Sequence, residues 1–184
     1  MHARDWTIKP ARPGATAPTS MLPVRTVDRF VFGVLYLMAA ALTIWGGFGL
    51  INRVMEVRLL NSYLLRWEAC LTAFSAQQGQ WPIFSGHNHV AYMDGLTHAM
   101  ARLGIRPPTS NTAAPYRYHL VKFGSADEDL FVLGLHDRMV IFGLSDHSMQ
   151  RLDRLVDGRA GLNSGRITGR PATLQGAYIG QWRL

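Results

Sequence analysis

The sequence predicts an α+β protein in which an N-terminal transmembrane helix continues as a long amphipathic stem packed on a small antiparallel β-sheet. Three observations predict it. Phe30–Ile51 is apolar throughout and carries no charge. Asn52–Gln78 contains neither proline nor glycine and repeats apolar residues at helical spacing. Beyond Pro115, short β-branched and aromatic runs are separated by turn residues. Together they divide the chain into a disordered cytoplasmic tail (1–28), a transmembrane helix (29–51), an amphipathic stem (52–82) and the rest of one globular domain (83–184).

The tail is rich in Pro, Ala and Thr, with Pro10, Pro13, Pro18 and Pro23. Such a segment buries too little apolar surface to offset its ordering entropy. The apolar stretch that follows, with Phe30, Leu35, Leu42, Trp45 and Leu50 along it, is long enough as a helix to cross the roughly 30 Å hydrocarbon layer of a bilayer. A small soluble domain seldom encloses a helix that is apolar all round. A cleaved signal peptide needs a shorter apolar region ending in small residues, whereas this one runs on through Trp45, Phe48 and Leu50. Arg25 and Arg29 abut the start of the span, and Lys and Arg collect on the cytoplasmic side. The reading is therefore an inner-membrane protein with its N-terminus inside and its domain in the periplasm or outside the cell.

In the stem, Val57, Leu60, Leu64, Trp67, Leu71 and Phe74 are spaced by threes and fours and form one stripe. Arg53, Glu56, Arg58, Arg66 and Glu68 are expected off that stripe. Gly79 is expected to end the helix and Pro82 to prevent its return. A second helix is expected over Asn88–Leu103. The loop Arg106–Pro115 leads to strands at Tyr116–Phe123, Leu130–Leu135 and Met139–Leu144, the last two joined as a hairpin by His136, Asp137 and Arg138. Ser145 has the chemistry to N-cap a short helix over Met149, Leu152, Leu155 and Val156. Gly158 to Gly169 reads as a turn-rich loop, and Ala172–Arg183, with Leu174, as the last strand.

This order of elements resembles a type IV pilin or a type II secretion pseudopilin. Ala73-Phe74-Ser75-Ala76-Gln77-Gln78-Gly79-Gln80-Trp81-Pro82 is similar to the end of the pilin stem. Leu152-Asp153-Arg154-Leu155-Val156-Asp157-Gly158, followed by Ser164-Gly165-Arg166, is similar to a late segment of prepilin-like proteins. The resemblance covers residues 30–184, mostly as architecture. It implies a pilin-like fold and a non-enzymatic subunit of a bacterial secretion or pilus-type assembly. The chain departs from the prepilin pattern at the cleavage site: no glycine precedes Phe30, and the apolar run holds no glutamate, the first being Glu56. The tail is therefore expected to stay attached. A second reading follows from that departure: a membrane-anchored periplasmic binding or accessory module that never enters a filament.

Few residues suggest chemistry. His87, His89 and His98 lack the convergent spacing zinc requires, and no metal site or cofactor is expected. Ser145, Asp146 and His147 are adjacent, but no nucleophile elbow surrounds them, and the chain is read as a non-enzyme. Asp127-Glu128-Asp129 forms an acidic cluster that reads either as a solvated turn or as a calcium loop. The single cysteine, Cys70, precludes an intrachain disulfide and reads as a structural thiol. The net charge of +7 is spread rather than striped, and Arg151, Asp153, Arg154, Asp157 and Arg159 interleave as on a solvated face. No nucleic acid is expected. The expected partners are the lipid bilayer and other envelope-complex subunits, with homo- or hetero-oligomers formed through the membrane helix and stem.

Overall fold

A computed structural model describes residues 24–158, 161, 163–172 and 177–184. It divides into two units, Met1–Thr43 and Ile44–Leu184. The protein is α+β, with a long apolar N-terminal helix and a five-stranded antiparallel sheet.

Helix α1 (Val24–Leu59) opens the described chain, so residues 24–28, expected in the tail, are helical. The rest of the tail and Leu174 lie outside the described residues. Thr43 bonds its hydroxyl to the Ala39 carbonyl at 2.8 Å, which satisfies the most polar side chain of the apolar run within its own helix.

The stem is not one uniform α-helix. A π turn at Leu60–Leu64 separates α1 from α2 (Leu65–Ala76). The wider turn carries two adjacent pairs, Leu59 with Leu60 and Tyr63 with Leu64, onto the buried side. The sequence stripe took Leu60 and Leu64 and omitted Leu59 and Tyr63, which are buried beside them. Tyr63 is fully covered, packs at a tilt against Tyr118 with ring centroids 4.8 Å apart, and donates its hydroxyl to the Pro115 carbonyl at 2.8 Å.

The end of the stem corrects a second expectation. The residue in the left-handed conformation is Gln78, with φ of 54°, not Gly79. The amides of Gln78 and Gly79 bond back to the carbonyls of Ser75 and Phe74, each at 3.0 Å, which closes a Schellman motif with glutamine in glycine's usual place.

Helix α3 (His89–Arg102) matches the expected second helix and buries Tyr92, Met93, Leu96 and Met100. The strands are β1 (Arg117–Leu120), β2 (Glu128–Gly134), β3 (Arg138–Ser145), β4 (Ile167–Pro171) and β5 (Ala177–Arg183), in the spatial order β1-β2-β3-β5-β4. The β2–β3 hairpin pairs Phe131 with Phe142 and Gly134 with Met139. At Gly134 a Cβ would lie 2.4 Å from Leu71 and 3.3 Å from Leu96, so the absent side chain lets stem and α3 both close on the sheet. Gly143 makes a bulge at φ of 88°, where a Cβ would meet the Asp129 carbonyl at 2.0 Å.

Helix α4 (Asp146–Asp157) is N-capped by Ser145, whose hydroxyl accepts the Ser148 amide at 3.2 Å. Strand β4 lies within the stretch read as a loop. It is short and an edge strand, with Gly169 inside and Pro171 at its end, a composition that carries little strand signal. Asp157 fixes its start by accepting the amides of Arg166 and Ile167 at 2.9–3.0 Å. The core lies between the stem, α3, α4 and the inner face of the sheet, with Trp67 and Trp182 its largest fully buried side chains.

Candidate membrane and assembly surface

The apolar helix supplies the first part of the surface. One helix of the described residues is long and apolar enough to cross a membrane, and none of its most apolar window is buried by protein. Phe30, Leu35, Leu42, Trp45 and Leu50 are all exposed, Trp45 by 78%. Isolated exposed apolar side chains are ordinary; an unbroken helical surface of them is not.

The stem residues are placed differently. Leu60, Leu64, Trp67, Leu71 and Phe74 lie in the domain core, while Val57 is only half-buried. That stripe is occupied by its own domain and offers little to a second copy. Trp67 also donates its indole N–H to the Pro115 carbonyl at 3.3 Å, and Phe74 meets Trp81 edge-on at 5.1 Å.

Charges expected off the stripe tie the stem to the C-terminal half. Glu56, expected off the stripe, is 3% exposed, and Arg151 of α4 reaches its carboxylate at 2.9 Å. Glu68 pairs with Arg166, whose guanidinium also lies 5.6 Å over the Trp182 ring. Asp153 is fully buried and accepts the Gly161 amide at 2.6 Å. Arg151, Asp153 and Asp157 therefore hold the fold together rather than forming a solvated face; Arg159 lies outside the described residues. The sequence carried one signal for Glu56: it precedes Leu60 by four residues and Leu64 by eight, so it shares their side of a helix.

The acidic cluster does not converge. Strand alternation sends Asp127 and Asp129 to one side, where their carboxylates lie 3.5 and 2.7 Å from the two ring nitrogens of His119. The hydrogen bond to Asp129 is the main cause that raises the His119 pKa above its ordinary value, with the charges of Asp129 and Asp127 adding to it. Glu128 turns to the other side, into a buried network. Its Oε1 lies 2.5 Å from Lys122 Nζ and accepts the Ser148 hydroxyl at 2.9 Å, and Lys122 also meets Ser148 directly. Among the described residues no group of three or more His, Cys, Asp or Glu side chains is placed to hold a metal ion.

The remaining candidates have structural work. His89 lies edge-on among Phe84, Phe131 and Phe142, within an aromatic cluster on the outer face of the sheet. Ser145 caps α4, and its hydroxyl also reaches Ser148 at 3.2 Å. Cys70 is half-buried, its thiol 3.3 Å from the Arg106 carbonyl, and burial pushes its pKa up.

One feature of this surface had no sequence signal. Asn52, the first polar residue after the apolar run, grips the backbone of Phe123 with both ends of its amide. Its Nδ2 donates to the Phe123 carbonyl at 2.9 Å, and its Oδ1 accepts the Phe123 amide at 2.8 Å. The Phe123 ring stacks on Phe48 of the apolar run, centroids 6.0 Å apart. In comparisons with protein-family models, curated proteins and solved structures, nothing matches the chain.

Proposed function

We propose that this chain is a single-pass, non-enzymatic subunit of a bacterial envelope assembly, pilin-like or pseudopilin-like in plan. In this reading its N-terminus is cytoplasmic and its domain lies in the periplasm or outside the cell. One observation carries the proposal: the exposed apolar run leads directly into a helix whose other side chains form the core of the domain. Anchor and domain are thus parts of one element, and the surface left over in the span can meet lipid or the span of another subunit. Arg25 and Arg29 beside the start of the run support the orientation.

A second reading, an accessory module of another inner-membrane complex, is favoured by one specific observation. The apolar run has no carboxylate, and Glu56, the first glutamate, is already paired with Arg151 inside the domain. No acidic group in the span is available to neutralise a neighbour's N-terminus.

Photo-crosslinking groups at Leu42 and Trp45, followed by mild-detergent extraction and fractionation, test the proposal. The expected result is a crosslink to a second membrane-spanning chain and migration in a larger assembly. Recovery in a sheared filament fraction assigns the pilin-like role; confinement to an inner-membrane complex assigns the accessory one. Lipid adducts alone on a monomeric chain would refute both.

A further inference from the structure

We propose that the loop joining β1 to β2, residues 121–127, is a second membrane contact, inserted beside the anchor into the interfacial layer of the bilayer. The inference rests on the reading of Phe30–Ile51 as a span. Phe48 lies four residues before Asn52, about 6 Å along a helix axis rising about 1.5 Å per residue. A ring that stacks on Phe48 while its backbone is bonded to Asn52 lies between those two levels. If Asn52 marks the polar boundary, Phe123 sits within the roughly 5–10 Å that interfacial apolar faces penetrate.

The loop's chemistry fits that depth. Val121 and Phe123 are exposed, and between them the Lys122 side chain turns inward, 6% exposed, to neutralise itself on Glu128. Gly124, Ser125 and Ala126 add no charge. Backbone polar groups that leave water need partners within the protein. Asn52 supplies them for both the amide and the carbonyl of Phe123, and Asp127 accepts the Lys122 amide at 2.8 Å. Arg53 and Arg58, exposed just past the boundary, are placed to reach headgroup phosphates. The occupant is the bilayer, because the ring that Phe123 stacks on, Phe48, is itself part of the apolar run.

The test uses the full chain, with Cys70→Ala, in vesicles of phosphatidylcholine and phosphatidylglycerol. Single cysteines at positions 42, 121, 123 and 137 carry an environment-sensitive fluorophore. Quenching by acyl-brominated lipid and by an aqueous reductant is read at each. Position 42 is expected to be quenched deeply by brominated lipid, positions 121 and 123 at a shallower depth with reductant access slowed several-fold relative to 137, and position 137 by the aqueous reagent only. Val121 keeps the Phe48–Phe123 stack intact, so its label decides the matter if the variant at 123 does not fold. A quenched position 42 with 121 matching 137 overturns the loop contact and leaves the span standing. An unquenched position 42 overturns both.

Discussion

Replacing Trp67 with alanine separates two roles for the stem. The side chain is fully buried, so its removal forfeits a whole aromatic contact surface. Truncations of this kind cost about 3–5 kcal/mol in well-packed cores. The lost indole hydrogen bond adds little, because the Pro115 carbonyl keeps the Tyr63 hydroxyl at 2.8 Å and is not left unsatisfied. With a urea dependence of about 2 kcal/mol per molar, the unfolding midpoint should fall by about 2 M. That loss is a large share of a domain stability of about 5–15 kcal/mol. The assay is urea unfolding of the full chain in mild detergent, followed by near-ultraviolet circular dichroism, with Val57→Ala as the half-buried reference. Were the stripe instead a seam between copies, Trp67→Ala would leave the midpoint unchanged and abolish self-association. That result would refute the placement of the stem in the domain core.

Two further outcomes follow from local geometry. Gln78→Gly removes the left-handed strain at the end of the stem and should raise the stability of the folded chain by about 1 kcal/mol, read as a higher melting temperature; a decrease would contradict the Schellman assignment. His119 has its folded pKa raised by Asp129 and Asp127, so its contribution is fully present below the unfolded value of about 6.5 and is lost as pH rises through the folded value. An NMR titration of the His119 ring should show a midpoint above about 6.5 that moves down in Asp129→Asn; an unmoved midpoint would disprove the pairing.

What was legible in the sequence was whatever a single element displays by itself. The apolar run, α3, the β2–β3 hairpin and the Ser145 cap each announce themselves within a few residues through periodicity, turn composition or capping chemistry. The π turn did not, because Leu59-Leu60 and Tyr63-Leu64 suit an α-helical stripe almost as well, and only the packing of Tyr63 against Tyr118 and Pro115 decides between the two backbones. Strand β4 was hidden for a related reason: its pairing with β5, Thr168 opposite Gln181 and Arg170 opposite Ile179, is a property of the partner strand and not of its own glycine- and proline-bearing sequence.

The residues hardest to foresee are those that join distant parts of the chain at the stem. Glu56 finds Arg151 in α4, Glu68 finds Arg166 just before β4, and Asn52 finds Phe123 in the β1–β2 loop. A buried carboxylate such as Glu56 is costly unless it is paired, so its presence implied a partner without naming one. The three links share a consequence. Each fixes a C-terminal element to a different level of the same helix, Asn52 at the end of the apolar run, Glu56 before the π turn and Glu68 beyond it. Such widely separated pairings close large loops. The stem is therefore the element to which these distant parts of the chain are tied. Losing one link should loosen the element it holds while the Trp67–Leu71–Phe74 packing keeps the rest in place, since those side chains bury their surface without any of the three ion or amide pairs.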